Sequence, residues 1–337
     1  LLLTAYGSDG VSRDEFEEVL GLPEENWSEA SARLMSLLNQ ASGSLLVRSA
    51  NSVWVDELAQ GREEYTEQVS RELHAEIFQA KLDSPETMEA VNEWVSERTG
   101  GMIPEFRTEP YGVTVRLALL NALYMEARFQ EPFRAEATGE EVFYTGDGEV
   151  RTLFLRDWMC SRDYVKGEGI EGILLPYRDG SLAFLALRAT DGRTPEELSG
   201  SLTPEKLREL IESAENVMMD FSMPKFTVEY RQNLSATLRE LGLSRTMTPT
   251  EADLSRAGTG TDGARLYIGD AQQAVKFEVD EDGTKAAAVT EVTEEDGGVM
   301  MPDELVTLHL NSPFLYLIVD TESSAPLFMG LMEEPQG

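Results

Sequence analysis

The chain has 337 residues, 62 of them acidic and 28 basic, which gives a formal net charge of −34 at pH 7. Such a surface repels the phosphates of nucleic acids and the headgroups of anionic lipids, so no nucleic-acid or membrane partner is expected. Hydrophobic residues make up 41% of the chain, enough for a substantial core, so the charge does not indicate disorder. The single cysteine, Cys160, excludes an intrachain disulfide.

Helical patterns dominate the first third of the chain. The clearest helix begins where Ser84 can cap it and Pro85 occupies its first turn, and Val91, Trp94 and Val95 form its apolar stripe. A short strand is predicted at residues 51–55. The predicted helices of this region span residues 1–20, 30–40, 62–74 and 85–99.

Strand patterns dominate the rest. Residues 113–125 form a long apolar run, and the dipeptide Asp179-Gly180 indicates a hairpin between two later strands. Helices are predicted at residues 204–214 and 234–241, mixed strand and turn at 266–279, and strands at 172–176, 182–188, 217–228, 306–310, 314–319 and 327–331. Without βαβ alternation, repeats or a long linker, this order predicts an α+β fold with antiparallel sheets in one domain.

The usual signatures of catalysis and cofactor binding are missing from the sequence. There is no Gly-x-Ser-x-Gly elbow and no Walker loop, and His74 and His309 are too far apart to form a zinc-binding pair at helical spacing. Residues 258–263 match Gly-x-Gly-x-x-Gly, but a polar loop precedes them and a strand-like segment follows. The acidic run at 280–282 lacks the glycine spacing of a calcium loop. We therefore expect no enzyme, no metal site and no cofactor.

The most informative segment is residues 277–292. A strand-like stretch is followed by an acidic turn, a glycine and a run of small residues that again alternate with a period of two. On this period one set of side chains could face an interior, namely Thr284, Ala286, Ala288, Thr290 and Val292, and the alternate set could face water, namely Lys285, Ala287, Val289, Glu291 and Thr293. The segment suits both an exposed loop and a buried strand, which favours a conformational switch.

This segment closely resembles the hinge of the reactive-centre loop of the serpin family of protease inhibitors. The acidic pair Glu281 and Asp282 precedes Gly283 and Thr284, and small residues follow. By this resemblance the hinge comprises Glu281, Asp282, Gly283, Thr284, Ala286, Ala287, Ala288, Val289 and Thr290.

Further family motifs occur in the expected order along nearly the whole chain. They are Asn51-Ser52-Val53-Trp54-Val55, Val91-Asn92-Glu93-Trp94-Val95, Leu119-Leu120-Asn121-Ala122-Leu123-Tyr124, Pro132-Phe133, Leu175-Pro176-Tyr177, Met223-Pro224-Lys225-Phe226, Leu241-Gly242-Leu243, Ser312-Pro313-Phe314 and Pro326-Leu327-Phe328-Met329-Gly330. Asn121 corresponds to the family's shutter asparagine.

The chain also departs from the family pattern. Phe129 stands where a tryptophan is usual, Gln273 stands at the shutter histidine, and Lys285 replaces a glutamate. The family's first helix is missing before Leu1, and we expect any export signal to be missing with it.

The resemblance implies a single serpin domain over residues 1–337, with three mainly antiparallel sheets, about eight helices and an exposed reactive-centre loop at 281–304. It implies a metastable suicide inhibitor that traps serine proteases covalently; the alternative is a non-inhibitory carrier or chaperone of the same fold. We expect a monomeric, secreted or cell-surface protein of prokaryotic type. Heparin activation is not expected, because the predicted helix at 62–74 is acidic.

The resemblance implies a cleaved bond near residues 297–302. The family's spacing from Glu281 points to Gly297, whereas counting back from Pro313 points to Pro302. No Arg or Lys occurs between Ala286 and Leu310, which argues against trypsin-like targets. Apolar residues here suit elastase-, subtilisin- or chymotrypsin-like pockets, and the scissile-bond candidates are Met300, then Val299, with Met301 and Gly297.

Overall fold

A computed structural model describes residues 1–269, 271–284 and 305–335. The helices in these ranges are α1 (Leu2–Ala5), α2 (Gly10–Leu20), α3 (Trp27–Leu37), α4 (Glu63–Leu73), α5 (Pro85–Arg98), α6 (Pro195–Ser201), α7 (Pro204–Glu212) and α8 (Ser235–Glu240). The first nine strands are β1 (Asn39–Ser42), β2 (Leu45–Asp56), β3 (Ala59–Gly61), β4 (Ala75–Ala80), β5 (Leu117–Arg128), β6 (Gly139–Tyr144), β7 (Glu149–Gly167), β8 (Ile170–Pro176) and β9 (Leu182–Ala189). The others are β10 (Glu215–Pro224), β11 (Phe226–Asn233), β12 (Gly258–Gly260), β13 (Gln272–Val279), β14 (Gly283–Thr284), β15 (Val306–His309), β16 (Phe314–Asp320) and β17 (Pro326–Met332).

Eight helices and three sheets, of seven, eight and two strands, make up the described part of the chain, as the predicted α+β class requires. The chain forms two compact units. The first contains residues 1–40, 47–124 and 229–276, and the second contains residues 41–46, 125–228 and 277–337.

The first unit carries most of the helices. The Ser84 hydroxyl accepts a hydrogen bond from the backbone N–H of Thr87 at the start of α5, and Val91, Trp94 and Val95 are buried, so the predicted cap and stripe are confirmed. β2 and β4 pair in parallel from Asn51↔Ala75 to Asp56↔Ala80. Residues 258–260 form a short strand that pairs with β3, which is not the strand–turn–helix context of a dinucleotide site.

The second unit contains the eight-stranded sheet. Its order is β15-β10-β7-β8-β9-β16-β17, and β6 pairs with β7. All of these pairs are antiparallel except β10–β15. The predicted hairpin at Asp179-Gly180 joins β8 to β9, and α6 and α7 contribute Leu198, Leu207 and Leu210 to the core on this sheet.

Several boundary predictions were wrong. The helix expected at 30–40 is Trp27–Leu37, and the strand expected at 51–55 is Leu45–Asp56. Residues 1–20 form two helices, because the chain breaks after α1 and the Asp9 side chain caps α2. The strand expected at 113–125 is Leu117–Arg128. The single strand expected at 217–228 is two strands in two different sheets, β10 and β11, which meet at Lys225.

Candidate functional site: the hinge after β13

The acidic turn after β13, residues 280–282, is stabilised by hydrogen bonds to its first residue, Asp280. One carboxylate oxygen of Asp280 accepts hydrogen bonds from the backbone N–H groups of Asp282 (2.9 Å) and Gly283 (3.2 Å). The backbone N–H of Asp280 donates to the Gly283 carbonyl at 3.0 Å. This arrangement is typical of aspartate turns, and it reverses the chain between β13 and β14. Burial raises the pKa of Asp280, although the two backbone donors act in the opposite direction.

Gly283 lies where no other residue fits. Its φ is +148°, and a Cβ added here would lie 2.1 Å from the Ala127 carbonyl oxygen. Gly283 pairs with Arg128 of β5, and the Phe129 N–H donates to the Asp282 carbonyl at 2.7 Å. The glycine therefore allows β14 to approach β5 closely.

Thr284 is the last described residue of the segment, and it lies between two strands. It pairs with Ala127 of β5 and with Val279 of β13. Its side chain is fully buried, and its hydroxyl lies 2.5 Å from the Tyr177 hydroxyl. Burial raises the pKa of Tyr177 well above its ordinary value, so this phenol stays neutral at physiological pH. Thr284 thus has the buried orientation that the sequence pattern predicts for its set.

Glu281 links the turn to three residues that lie between strands: Lys225 between β10 and β11, Thr138 just before β6, and Phe133 in the loop after β5. Its carboxylate accepts hydrogen bonds from Lys225 Nζ and from the Thr138 hydroxyl, both at 2.8 Å, and its carbonyl accepts from the Phe133 N–H at 2.8 Å. Burial acts to raise the pKa of Glu281, but the hydrogen bond from Lys225 holds it below its ordinary value. Correspondingly, burial acts to lower the pKa of Lys225 and the bond to Glu281 raises it. The pair is therefore charged at neutral pH.

An aromatic cluster lies under the hinge. The Phe129 ring stacks on Tyr177 with centroids 5.3 Å apart and also contacts Phe133 and Phe184 edge-on. Phe129 is 1% exposed. A phenyl ring thus fills the place that a tryptophan usually takes in the family, and it supports Tyr177 beneath Thr284.

Other predicted site residues are elsewhere. Asn121 donates from its side-chain amide to the Ser49 hydroxyl (2.9 Å) and to Asn51 Oδ1 (3.0 Å). Gln273 is exposed, and in the described part of the chain no hydrogen bond joins it to Asn121. The shutter role of these two residues stays a prediction.

The remaining calls lie outside the described residues. These are the hinge positions Ala286, Ala287, Ala288, Val289 and Thr290 and the scissile-bond candidates Gly297, Val299, Met300 and Met301. Sequence reasoning missed the hinge partner Thr138 altogether, and Phe133 appeared only in the family motif Pro132-Phe133. Lys225 and Tyr177 appeared only as members of family motifs, and nothing local in the sequence indicates that they contact residues 281–284.

Comparison with known proteins places this geometry in a family. The sequence model of the serpins, described as serine protease inhibitors, matches residues 1–335. The chain belongs to the serpin family. This serpin is 28% identical over 342 residues to an uncharacterised serpin-like protein of Thermococcus kodakarensis, covering 99% of the chain and 78% of that protein. It is 30% identical to the leukocyte elastase inhibitor of Bos taurus, covering 77% of the chain and 71% of the inhibitor.

Solved structures show the same fold. Tengpin, a thermophilic serpin in its native state, is 27% identical and superposes with a TM-score of 0.88, covering 98% of this serpin and 84% of tengpin. Tengpin in its latent state gives a TM-score of 0.82 at 25% identity, covering 98% of this serpin and 87% of that chain.

Two further observations bear on the chemistry. Among the described residues, no group of three or more His, Cys, Asp and Glu side chains is arranged to hold a metal ion. Nor does any helix in those ranges have the length and apolar character needed to cross a membrane.

Proposed function

We propose that this serpin is a suicide-substrate inhibitor of serine endopeptidases of the elastase, subtilisin or chymotrypsin type. The observation that carries the proposal is β14. Gly283 and Thr284 are already paired as a strand with both β5 and β13, and Thr284 is buried against Tyr177. The sheet thus holds the two residues, Gly283 and Thr284, that directly precede Lys285 and the small-residue run in the sequence.

The proposed mechanism starts when a protease attacks the segment as a substrate. The protease serine becomes acylated by the new carboxyl terminus of the cleaved bond, and the carboxy-terminal portion, now with a free amino terminus as the amine product, stays held in the eight-stranded sheet through β16 and β17. The segment then extends β14 residue by residue, which moves the attached protease. Deacylation requires close alignment of the catalytic triad and the oxyanion hole, so a modest distortion of the protease is enough to stop it.

The energetics fit this mechanism. About a dozen added ladder hydrogen bonds at ~1 kcal/mol each give on the order of 10 kcal/mol. That is comparable to the whole stability of a typical domain, ~5–15 kcal/mol. The uncleaved form is then held kinetically rather than thermodynamically.

The side chains of the segment support inhibition over a carrier function. Thr284, which is buried, is followed at alternate positions by Ala286, Ala288 and Thr290, all small enough for a buried strand. A bulky or charged residue in this set would favour the non-inhibitory alternative.

The target specificity rests on the sequence around the cleaved bond. We assign Met300 as the residue before the cleaved bond and Val299 as the second choice, because the bond before Pro302 resists most proteases. We expect the protein to act outside the cell as a monomer, without heparin or any other cofactor.

The test is incubation with pancreatic-type elastase, subtilisin, chymotrypsin and trypsin. The products are separated on denaturing gels, and the released carboxy-terminal peptide is weighed by mass spectrometry. We expect a detergent-stable complex with at least one of the first three proteases and a peptide that begins at Met301. Cleavage by all of them without any complex would reject the inhibitor function.

A further inference from the structure

The loop after β5, residues 129–133, supports the acidic turn from one side. The Phe129 N–H donates to the Asp282 carbonyl at 2.7 Å, and the Phe133 N–H donates to the Glu281 carbonyl at 2.8 Å. The two donors lie at the two ends of the loop. The position of the loop therefore sets the position of the turn, and with it the start of β14.

The middle of this loop has little packing of its own. Residues 130–132 are exposed, and only Phe129 and Phe133 at its ends are buried. A pocket of about 210 Å³ lies beside the loop, with Glu131 and Arg162 among the residues that line it. Because buried apolar contacts are few here, hydrogen bonds must position the middle of the loop.

One buried guanidinium binds the loop at its midpoint. Arg162 of β7, whose side chain is 7% exposed, donates from Nη1 to the Glu131 carbonyl at 2.7 Å. The same guanidinium lies 4.8 Å from the centroid of the Phe133 ring. A hydrogen bond from a charged donor is stronger than one between neutral groups, and a cation over an aromatic ring adds to it. Arg162 therefore fixes the middle of the loop and contacts one of its ends.

Asp157 orients that guanidinium. Arg162 Nε donates to Asp157 Oδ2 at 2.7 Å, and Nη2 contacts the same oxygen, so Nη1 is directed to Glu131. The Asp157 side chain is 3% exposed. A buried ion pair adds little net stability over an apolar pair of similar size, which favours a role in positioning.

A bulge in β7 brings the two charges to the same face of the strand. In a regular strand, residues five positions apart point to opposite faces. Between Asp157 and Arg162 the register with β10 skips Met159, which has a left-handed φ of +54°. This one extra residue returns Arg162 to the face of Asp157. A positive φ at methionine is a backbone cost, and such costs recur at functional sites.

We propose that Arg162, oriented by Asp157, is a positioning residue for strand insertion. It holds the loop after β5 so that residues 281–284 are in place to extend β14 before the acyl-enzyme is hydrolysed. This rests on the proposed function, in which insertion and deacylation compete for the same acyl-enzyme. Arg162 acts through the loop, so its loss leaves the attack on the segment unchanged and slows insertion. More of the serpin is then released as cleaved substrate.

The test replaces the whole pair, as Asp157→Leu together with Arg162→Met. This double variant removes both charges at once and keeps similar side-chain volumes, so we expect it to fold. Amide hydrogen exchange in the free protein is followed at Phe129 and Phe133, whose N–H groups bind the turn. We expect both amides to exchange about tenfold faster than in wild type, or more. Arg162→Lys, which keeps the charge and a donor, should exchange more slowly than the double variant.

The matched control is Glu171→Leu together with Arg188→Met. Arg188 likewise donates to a carboxylate, that of Glu171 (2.8 Å), and to a backbone carbonyl, that of His309 (2.8 Å). Neither of these contacts involves residues 129–133. We expect exchange at Phe129 and Phe133 in this control to stay within about twofold of wild type. Unchanged exchange in the Asp157 and Arg162 double variant would overturn the positioning role.

A second measurement connects the positioning to trapping. Each variant is mixed with the protease that wild type traps fastest, and the ratio of free cleaved serpin to stable complex is measured on denaturing gels. We expect this ratio to rise about fivefold or more in the Asp157 and Arg162 double variant, the effect of losing roughly one hydrogen bond, while the rate at which the serpin is consumed stays unchanged. Arg162→Lys should restore a lower ratio, and the control should match wild type.

An unchanged ratio in the double variant would overturn the role in insertion. If wild type itself forms no stable complex with any protease, the proposed function fails. The exchange measurement still decides in that case whether Arg162 positions the loop and the turn.

Discussion

At the scale of single residues, the hinge depends on a few contacts between groups far apart in sequence. Glu281 accepts from both Lys225 and Thr138, and Thr284 meets Tyr177. The sequence alone pointed to this segment, because its acidic pair, glycine, threonine and small residues are contiguous, and its role as a hinge stays a prediction. Its partners could not be predicted from any local pattern, since Thr138 and Glu281 are 143 positions apart and meet only in the folded chain.

Glu281→Gln tests the ion pair. The glutamine can still accept from Thr138 but loses the charge, so we expect a loss of about 1 kcal/mol at pH 7 and a melting temperature lower by roughly 2 °C. Thermal unfolding followed by circular dichroism measures the difference between the two proteins.

The pH dependence of that difference identifies the charge as its cause. The pKa of Glu281 is below its ordinary value in the folded protein. Its contribution is therefore present above the unfolded pKa of about 4.3 and is lost as the pH falls through the folded pKa. Lys225 has a raised pKa, so its contribution is present below about 10.4 and is lost as the pH rises through its folded pKa. Asp280 is present in both proteins, so its contribution cancels in the difference between their melting temperatures. A difference in melting temperature that persists unchanged at pH 3 would contradict the ion pair.

At the scale of elements, hydrophobic alternation and capping residues predicted the regular helices and strands but missed strands that contain a bulge or a break. The α5 cap and stripe were readable because they are local. β7 runs for 19 residues yet was not predicted, because the bulge at Met159 changes which side chains face inward. α6 was missed although Thr194 and Glu197 form a capping box. The apolar run at 217–228 could not reveal the break between β10 and β11, because only the tertiary fold assigns these two strands to different sheets.

Gly283→Ala tests the two-residue strand β14. The added Cβ would meet the Ala127 carbonyl oxygen, so β14 must move away from β5. Close overpacking of this kind costs about 2 kcal/mol, and in a protein of 337 residues we expect the melting temperature to fall by about 3–4 °C.

Gly146→Ala is the control for this substitution, because a Cβ at Gly146 meets no atom within 4 Å. We expect it to melt with wild type. If Gly283→Ala and Gly146→Ala had the same melting temperature, the close approach of Gly283 to β5 would not contribute to stability.

At the scale of the whole molecule, the native fold is expected to be a kinetic state. The same fold is solved for tengpin in its native and latent states. On the proposed mechanism, cleavage within residues 297–302 would free the segment to extend β14. If this adds on the order of 10 kcal/mol, the melting temperature should rise by more than 10 °C.

Calorimetry before and after limited proteolysis measures this rise. Mass spectrometry of the cleaved sample identifies the bond, so that the change in stability is assigned to cleavage at a known position. A melting temperature of the cleaved protein equal to or lower than that of the intact protein would contradict insertion of the segment.

The most direct test of the central claim compares Ala288→Arg with Ala287→Arg. Both place the same arginine in the segment, but Ala288 belongs to the set expected to face inward and Ala287 to the set expected to face outward. Each variant is mixed with the protease that wild type traps fastest, and the fractions of stable complex and of free cleaved protein are measured on denaturing gels. The account predicts that Ala287→Arg still forms stable complexes, whereas Ala288→Arg is cleaved and released as an ordinary substrate. Stable complexes with Ala288→Arg in the same yield would contradict trapping by strand insertion.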